Sequence, residues 1–334
     1  MLRFVVRRLL QVIPTLLILS VLLFAWLRSL PGGPAGALLG DKATPESIAA
    51  LNRTLGLDQP VWIQYLRYLG RALTGDFGSS LVTGDPVLGE LGRALPGTIE
   101  LSVVALLIAV GLGIPLGYLA ARSHGRIWDN VTIIGTLVGV AVPVFFLGYV
   151  LKQLLAVDLG WFPPSGLQAT DIDATSVTGF PTLDGLLTRE FDASWDSLMH
   201  LVLPAVTLAT IPLAVIVRIT RASVLDVLGS DFVRTANAKG LATATVRDRH
   251  VLRNALLPVA TTIGLQTGLL LAGAVLTEKV FNRPGIGTLI AEGIERRDYP
   301  RLQAVVLLGA LIYVLVNLLV DLSYAVIDPR VRLK

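Results

Sequence analysis

The amino-acid sequence predicts an all-α integral membrane protein with six transmembrane helices. Three observations carry this. Hydrophobic residues make up 53% of the 334 positions and charged residues only 16%, where water-soluble domains hold about 25% charged residues. Apolar stretches near the ~20 residues that a helix needs to cross a bilayer core recur six times. The 28 Lys and Arg surround these stretches instead of gathering in one patch, so topology explains the net charge of +4 better than nucleic acid does. The absence of Cys excludes disulfides and thiolate metal sites, and His124, His200 and His250 are too scattered to suggest a histidine metal site.

The first span is Leu9–Leu27, preceded by Arg3, Arg7 and Arg8. Arg7-Arg8, the apolar run and Ala35-Gly36-Ala37 also have the layout of a cleaved signal peptide. The run is longer than a signal core of about 7–15 residues, which favours a span. The second is Ile99–Ala121, with Glu100 at its edge. The third is Val131–Val157, interrupted only by Lys152. The fourth, Leu198–Val217, is closed by Arg218 and carries Pro204 and Pro212, which a membrane helix tolerates when neighbours satisfy the freed carbonyls. The fifth is Pro258–Thr277, without a charge, and the sixth is Leu302–Val320, followed by Asp321. The pairs Gly113/Gly117, Gly135/Gly139 and Gly264/Gly268 have the spacing that lets helices approach closely. With 32 Gly in the chain, chance is the competing explanation.

Placing the N-terminus inside puts 15 Lys and Arg with five acids in segments 1–8, 122–130, 218–257 and 328–334. The remaining segments then hold 13 Lys and Arg with 18 acids, leaving aside Asp321 at the end of the sixth span. Short loops weigh most in this balance, which favours two cytoplasmic termini. The organisation is an N-terminal transmembrane helix (1–28), an extracytoplasmic segment (29–95), a transmembrane core (96–328) and a short tail (329–334). In the outer segment, Thr44-Pro45-Glu46-Ser47 reads as a helix start. Trp62, Tyr65 and Tyr68 fall near helical spacing, suited to the headgroup zone or to covering the bundle mouth. Gly75–Gly78 and Thr83–Pro86 are turn clusters. Segment 158–197, with seven acids and only Arg189 as a base, reads as a solvated acidic loop or a dock for a cationic group.

The most informative segment is the basic loop 218–257. Arg218 and Arg221 leave the fourth span, and Asp231–Lys239 forms a short helical run. Gly240 stands where a left-handed cap needs glycine. A second run, Thr243–Leu257, ends at Pro258, a residue suited to opening the fifth span. The small residues Thr235, Ala236 and Ala238, with Arg247, Arg249 and Arg253, suit a knob that enters another protein's cleft. A basic loop held at anionic headgroups is the other reading, and physics alone leaves both open.

Arg234-Thr235-Ala236 and Gly240, followed by Leu256-Leu257-Pro258, resemble the EAA loop of importer-type ABC permeases. Arg-Thr-Ala stands where the general pattern has Glu-Ala-Ala, and the Gly-to-Pro spacing is longer. Both departures resemble the dipeptide/oligopeptide branch, which also includes nickel permeases. Further segments match that branch in order: Leu30-Pro31-Gly32-Gly33-Pro34, Leu55–Pro60, Gly75–Gly78, Gly160–Pro163, Val280–Gly285, Arg297–Pro300 and Asp328–Arg332. The resemblance implies a type I importer permease in a bacterial or archaeal plasma membrane. It implies a second homologous permease, two ATP-binding subunits that hold the ATP and Mg, and an extracytoplasmic solute-binding protein. It also implies ATPase contact through Arg234, Thr235, Ala236, Lys239, Gly240, Leu241 and Arg249. The implied cargo is peptide, with nickel, glutathione or sugar also fitting the branch.

The residues themselves agree that ATP chemistry lies elsewhere. None of Lys42, Lys152, Lys239, Lys279 and Lys334 is followed by Ser or Thr, so there is no P-loop. No His-Glu-x-x-His or Gly-x-Ser-x-Gly is present either, and the chain is expected to be a transporter subunit without catalytic residues, metal or cofactor of its own. Asn317, Asp321 and Tyr324 share one helical face. Asp321 is a candidate gate partner for Arg218 or Arg221, or a carboxylate at the water interface. Gln266, with Thr261, Thr262 and Thr267, is a candidate for the pathway or for packing. The rival of a different class is an ion-coupled secondary transporter. It calls for ionisable residues in mid-span, which the six spans lack.

Overall fold

The computed structural model describes residues 2–29, 35–36, 39, 44–54, 56–172 and 174–327. Among these the regular structure is helical. Chain contacts define two compact units, Met1–Pro96 with Pro284–Leu315 and Gly97–Arg283 with Val316–Lys334.

In the first unit, α1 (Leu2–Ser29) carries a short helix on its side. α2 (Pro45–Thr54) starts as the sequence predicts. Thr44 Oγ1 accepts the Ser47 amide (3.2 Å) and Ser47 Oγ accepts the Thr44 amide (2.9 Å), a reciprocal cap with Pro45 in the first turn. α3 (Val61–Leu73) lays Tyr65 and Tyr68 against Phe24 of α1, with ring centroids 5.2 and 5.9 Å apart. Ser20 and Tyr65 share a hydrogen bond (2.9 Å), and Arg28 donates twice to Gln64 (2.9 and 2.7 Å). Trp62 stays exposed. Left-handed Gly75, Gly78 and Gly84 turn the chain into α4 (Val87–Arg122). The turn is held by charge: Asp298 accepts Ser80 Oγ (2.5 Å), and Arg301 donates to both oxygens of Glu90 (2.8 and 2.7 Å). Asp298 lies just before α12 (Tyr299–Ile327) and Arg301 in its first turn, after the short amphipathic α11 (Ile286–Glu295).

The core of the second unit is built on α4, α8 (Phe191–Leu228) and α10 (Arg253–Val280). Ala105 and Ala109 meet Ala205, Ala209 and Ala274, with Leu101, Leu201, Ile216 and Val259 filling between them. Such small residues replace the hydrophobic driving force that helices in lipid lack. Of the glycine pairs, Gly113/Gly117 makes the predicted contact. A Cβ at Gly113 would lie 2.7 Å from Ile216 Cγ2, and one at Gly117 would lie 2.6 Å from Thr220 Cβ and 2.7 Å from the Val217 carbonyl. Gly135/Gly139 does not: a Cβ at either meets nothing within 4 Å.

Three spans differ from their predicted form. The third is not one helix. α5 (Ile127–Ala141) and α6 (Val144–Leu151), the latter continued by π-helical turns over Lys152–Asp158, are bent by 102°. Pro143 has no N–H to continue the ladder and forces Val142 into extended backbone (φ −77°, ψ 125°). The fourth starts at Phe191 instead of Leu198 and passes Pro204 and Pro212 unbroken to Leu228, 38 residues in all. The fifth starts at Arg253, so Pro258 lies inside the helix and not at its opening. π-helical turns over Val246–Leu252 lead into it without a break.

Gly117→Ala is expected to lower stability by about 1–3 kcal/mol, the usual cost of overpacking, because a backbone carbonyl cannot give way as a side chain can. Gly135→Ala should be neutral or slightly stabilising. Thermal unfolding of the purified variants in detergent separates the two, and equal midpoints would refute this packing.

Candidate functional site

The basic loop between the fourth and fifth spans is a folded object. α8 carries the chain to Leu228, Gly229 ends it, and Ser230 turns extended (φ −76°, ψ 149°) into α9 (Asp231–Ala238). Gly240 is left-handed (φ +71°), as the sequence predicts. The Leu241 amide donates to the Ala236 carbonyl (3.3 Å) and the Gly240 amide to that of Asn237 (3.0 Å), the two bonds of a Schellman cap. Val233 and Ala236 face inward onto Val246, Val251, Ala255, Val224 and Ala121.

This separates the predicted contact residues into two groups. Arg234, Thr235, Lys239, Gly240, Leu241 and Arg249 are exposed. A Cβ at Gly240 would meet nothing within 4 Å. Ala236 is only 5% exposed and belongs to the loop's own core. It lies on the inward face of α9, three residues after buried Val233, so its small side chain sets how closely α9 settles on the loop beneath. Phe232, Leu228 and Leu241 add exposed apolar surface beside the cations. Arg247 is turned to its neighbour Asp248, donating from Nε (2.5 Å) and Nη2 (2.8 Å).

Of the two arginines offered as partners for Asp321, one already has a carboxylate partner. Arg221 is engaged by Asp129, with Nε donating to Oδ1 (2.6 Å) and Nη2 to Oδ2 (2.8 Å). Asp129 is buried and also accepts the Gly125 amide (2.9 Å). His124 Nδ1 lies 3.1 Å from both Asp129 Oδ2 and Arg221 Nη2. Arg218 is exposed, and the Asp321 side chain lies outside the described ones. Gln266 is buried in α10 and Asn317 half-buried in α12, and no hydrogen bond links them among the described residues. Thr261, Thr262 and Thr267 bond back to carbonyls four residues earlier in their own helix, which satisfies their hydroxyls locally.

The family profile described as "Binding-protein-dependent transport system inner membrane component" matches residues 113–333, and its N-terminal companion matches residues 1–102. The dipeptide transport system permease protein DppB of Escherichia coli K12 is 45% identical over 338 residues, covering all of both chains. DppB of Alkalihalophilus pseudofirmus is 43% identical over 332 residues, covering 99% of this chain and all of its own. The glutathione transport system permease protein GsiC of Salmonella paratyphi A is 40% identical over 334 residues, covering both chains fully. In fold, the chain resembles the MetNI methionine ABC transporter in an inward-facing conformation, with TM-score 0.55 and 15% identity over 73% of this chain and 98% of the other.

This chain belongs to the binding-protein-dependent transport permeases. It is an inner-membrane component of an ABC importer with the type I permease fold, which replaces the ion-coupled reading. As such a permease it carries a second charged cluster that the sequence showed only as isolated acids and bases. Arg283, fully buried, donates to Glu100 Oε2 (2.7 Å). Thr98 donates to Glu278 (2.6 Å), and Lys152 Nζ donates to the Val280 carbonyl (3.0 Å), near the end of α10. A cation on a terminal carbonyl also complements the helix dipole. The signal for these residues was present. Glu100 edges the second span, Lys152 interrupts the third, and Arg283 lies in the matched Val280–Gly285 segment. Pairing them needed the fold.

The acidic segment 158–197 is not merely solvated. α7 (Pro181–Leu187) packs on the start of α8 so closely that a Cβ at Gly185 would sit 2.6 Å from the Ser194 amide nitrogen. Asp184 organises the turn before this contact. It accepts Thr178 Oγ1 (2.5 Å) and the amides of Thr178 (2.8 Å), Val177 (3.1 Å) and Gly179 (2.9 Å). Burial pulls its carboxyl upward, but these four donors outweigh burial and hold it below the usual aspartate range. The resulting stabilisation is complete above the unfolded aspartate value of about 3.9 and is lost as pH falls through the lower native value. Thermal midpoints measured from pH 6 down to pH 3 should therefore fall less steeply in Asp184→Asn than in the parent chain. Identical slopes would remove this role.

Proposed function

We propose that this permease forms one half of the pathway of a peptide importer and is driven through the loop around Gly240. Its partners in this reading are a second homologous permease, two cytoplasmic ATP-hydrolysing subunits and an extracytoplasmic binding protein that delivers the cargo. Both termini and the 218–257 loop face the cytoplasm. The folded loop carries the reading: α9 ends in a rigid cap that offers Arg234, Thr235, Lys239, Gly240 and Leu241, with Arg249 on the following turns, above a core of its own. Such a knob transmits a push, where a loose basic loop would absorb it. Closure of the ATPases on ATP would bear on the loop, and the helices respond because the two nucleotide states contact it differently. Ala236 acts from beneath by setting the knob's height.

Peptide cargo is supported by the full-length relatives, named for dipeptide and for glutathione, itself a tripeptide. Gln266, Asn317 and Asp321 are the polar residues proposed for the pathway and its cytoplasmic end.

Gly240→Asp tests the coupling. Aspartate is among the few L-residues that visit left-handed backbone, so the cap should survive while its surface gains bulk and negative charge. Uptake of a radiolabelled dipeptide by proteoliposomes holding the full complex should fall roughly tenfold or more, about 1.4 kcal/mol of coupling, at an unchanged unfolding midpoint. Full uptake would overturn the reading.

A further inference from the structure

We infer that the Asp129–Arg221 pair is a positioning strut that makes the 218–257 loop and the first turn of α5 move as one body, so that a push on the loop reaches the broken third span. The inference rests on the coupling reading above. Asp129 stands in the first turn of α5 and Arg221 in the part of α8 that leads into the loop. Two guanidinium N–H groups meet two carboxylate oxygens at 2.6 and 2.8 Å, a fork that fixes direction as well as distance. The carboxylate also accepts the Gly125 amide and meets His124 at Oδ2, the oxygen that Arg221 Nη2 reaches. It therefore cannot follow Arg221 without taking the start of α5 with it.

The surroundings favour a strut over simple glue. Apolar contact already joins the loop to the end of α4, through Ala121 and Tyr118 against the cluster of Val224, Val233 and Ala236. That attraction is non-directional and permits sliding. A buried ion pair adds little net stability, because desolvation offsets its attraction. What it adds is a fixed geometry. On the loop side, α8 is helical without interruption to Leu228. The stretch from Arg221 to that end is about 10 Å long, with no hinge to absorb a displacement. On the far side, α5 runs to the 102° bend at Val142 and Pro143, where a few backbone dihedrals can take up a rotation. The pair thus joins a stiff lever to a span with a joint in it.

The test uses the assembled complex in proteoliposomes, as wild type, Asp129→Asn and Arg221→Lys. The chain has no cysteine, so Ala244→Cys on the loop and Ile134→Cys on α5, both exposed, carry spin labels on this subunit. In the wild type the label distance should be the same without nucleotide and in the ATP-trapped state. In Asp129→Asn it should change on trapping. Uptake of a radiolabelled dipeptide per ATP hydrolysed should fall roughly five- to tenfold, the size of a typical coupling between sites, while hydrolysis persists. Arg221→Lys keeps the charge and loses the fork, and should fall between the two. A wild-type distance that changes with nucleotide overturns the strut, as does wild-type uptake per ATP in Asp129→Asn. Where Asp129→Asn fails to assemble, Arg221→Lys decides: reduced uptake per ATP supports the strut and unchanged uptake per ATP overturns it. A wild-type complex whose ATPases never touch the loop removes the coupling reading itself, an outcome distinct from loss of the strut alone.

Discussion

A peptide group inside hydrocarbon has no water to bond, and leaving it unsatisfied costs several kcal/mol. Nearly everything in this chain follows from that constraint. Each long apolar stretch becomes a helix because only a helix satisfies its own backbone within one segment. The helices then associate through small residues, as where Gly113 and Gly117 bring α4 against Ile216, Val217 and Thr220 of α8. The bend in the third span is the visible exception. Around it the Val142 amide still reaches the Val138 carbonyl (3.1 Å) and the Leu147 amide the Pro143 carbonyl (3.0 Å). Irregular backbone at this depth is tolerated where protein shields it or a water-filled path opens beside it.

The same constraint explains where the charges are. The middles of the spans are free of Asp, Glu, Lys and Arg, and two clusters of the second unit that combine both signs stand near the ends of the spans. Glu100, Glu278 and Arg283 stand near the start of the second span and the end of the fifth, with Lys152 on a terminal carbonyl. Asp129 and Arg221 stand where α5 begins and α8 leads into the basic loop. An ion pair of this kind is costly to break once made, because each partner would be left buried and uncompensated. It is therefore suited to specifying an arrangement between helices. This permease combines apolar middles that adapt to lipid with charged ends of defined geometry.

One segment obeys a different rule, and the proposed coupling rests on it. The 218–257 loop is outside the spans and holds itself together with a small core, a Schellman cap and the left-handed Gly240. It behaves as a miniature domain attached to two spans. Its exposed face mixes Arg234, Lys239 and Arg249 with Phe232 and Leu241, a composition suited to a protein partner. Lipid headgroups alone would not call for the capped, small-residue geometry around Gly240.

Much of this was legible in one dimension. The approximate places of the apolar helices follow from apolar length, a local property of the chain. The caps at Thr44 and Gly240 follow from single residues whose backbone preferences are intrinsic. The basic loop follows from charge and a short motif. What escaped was whatever depends on two distant segments meeting. The third span read as one stretch interrupted only by Lys152, and the structure bends it by 102° at Val142 and Pro143. Of two Gly pairs alike in spacing, Gly113/Gly117 found a partner helix and Gly135/Gly139 did not. Asp129 was one acid in a basic segment, Glu100 an edge residue and Ala236 a surface candidate, until the fold buried all three. Hydropathy, capping and motif are carried by neighbours in sequence, so the chain alone determined the membrane class, the spans and the loop. Burial and ion pairing are properties of neighbours in space, so only the tertiary structure decided which charges meet and which face of the loop remains open.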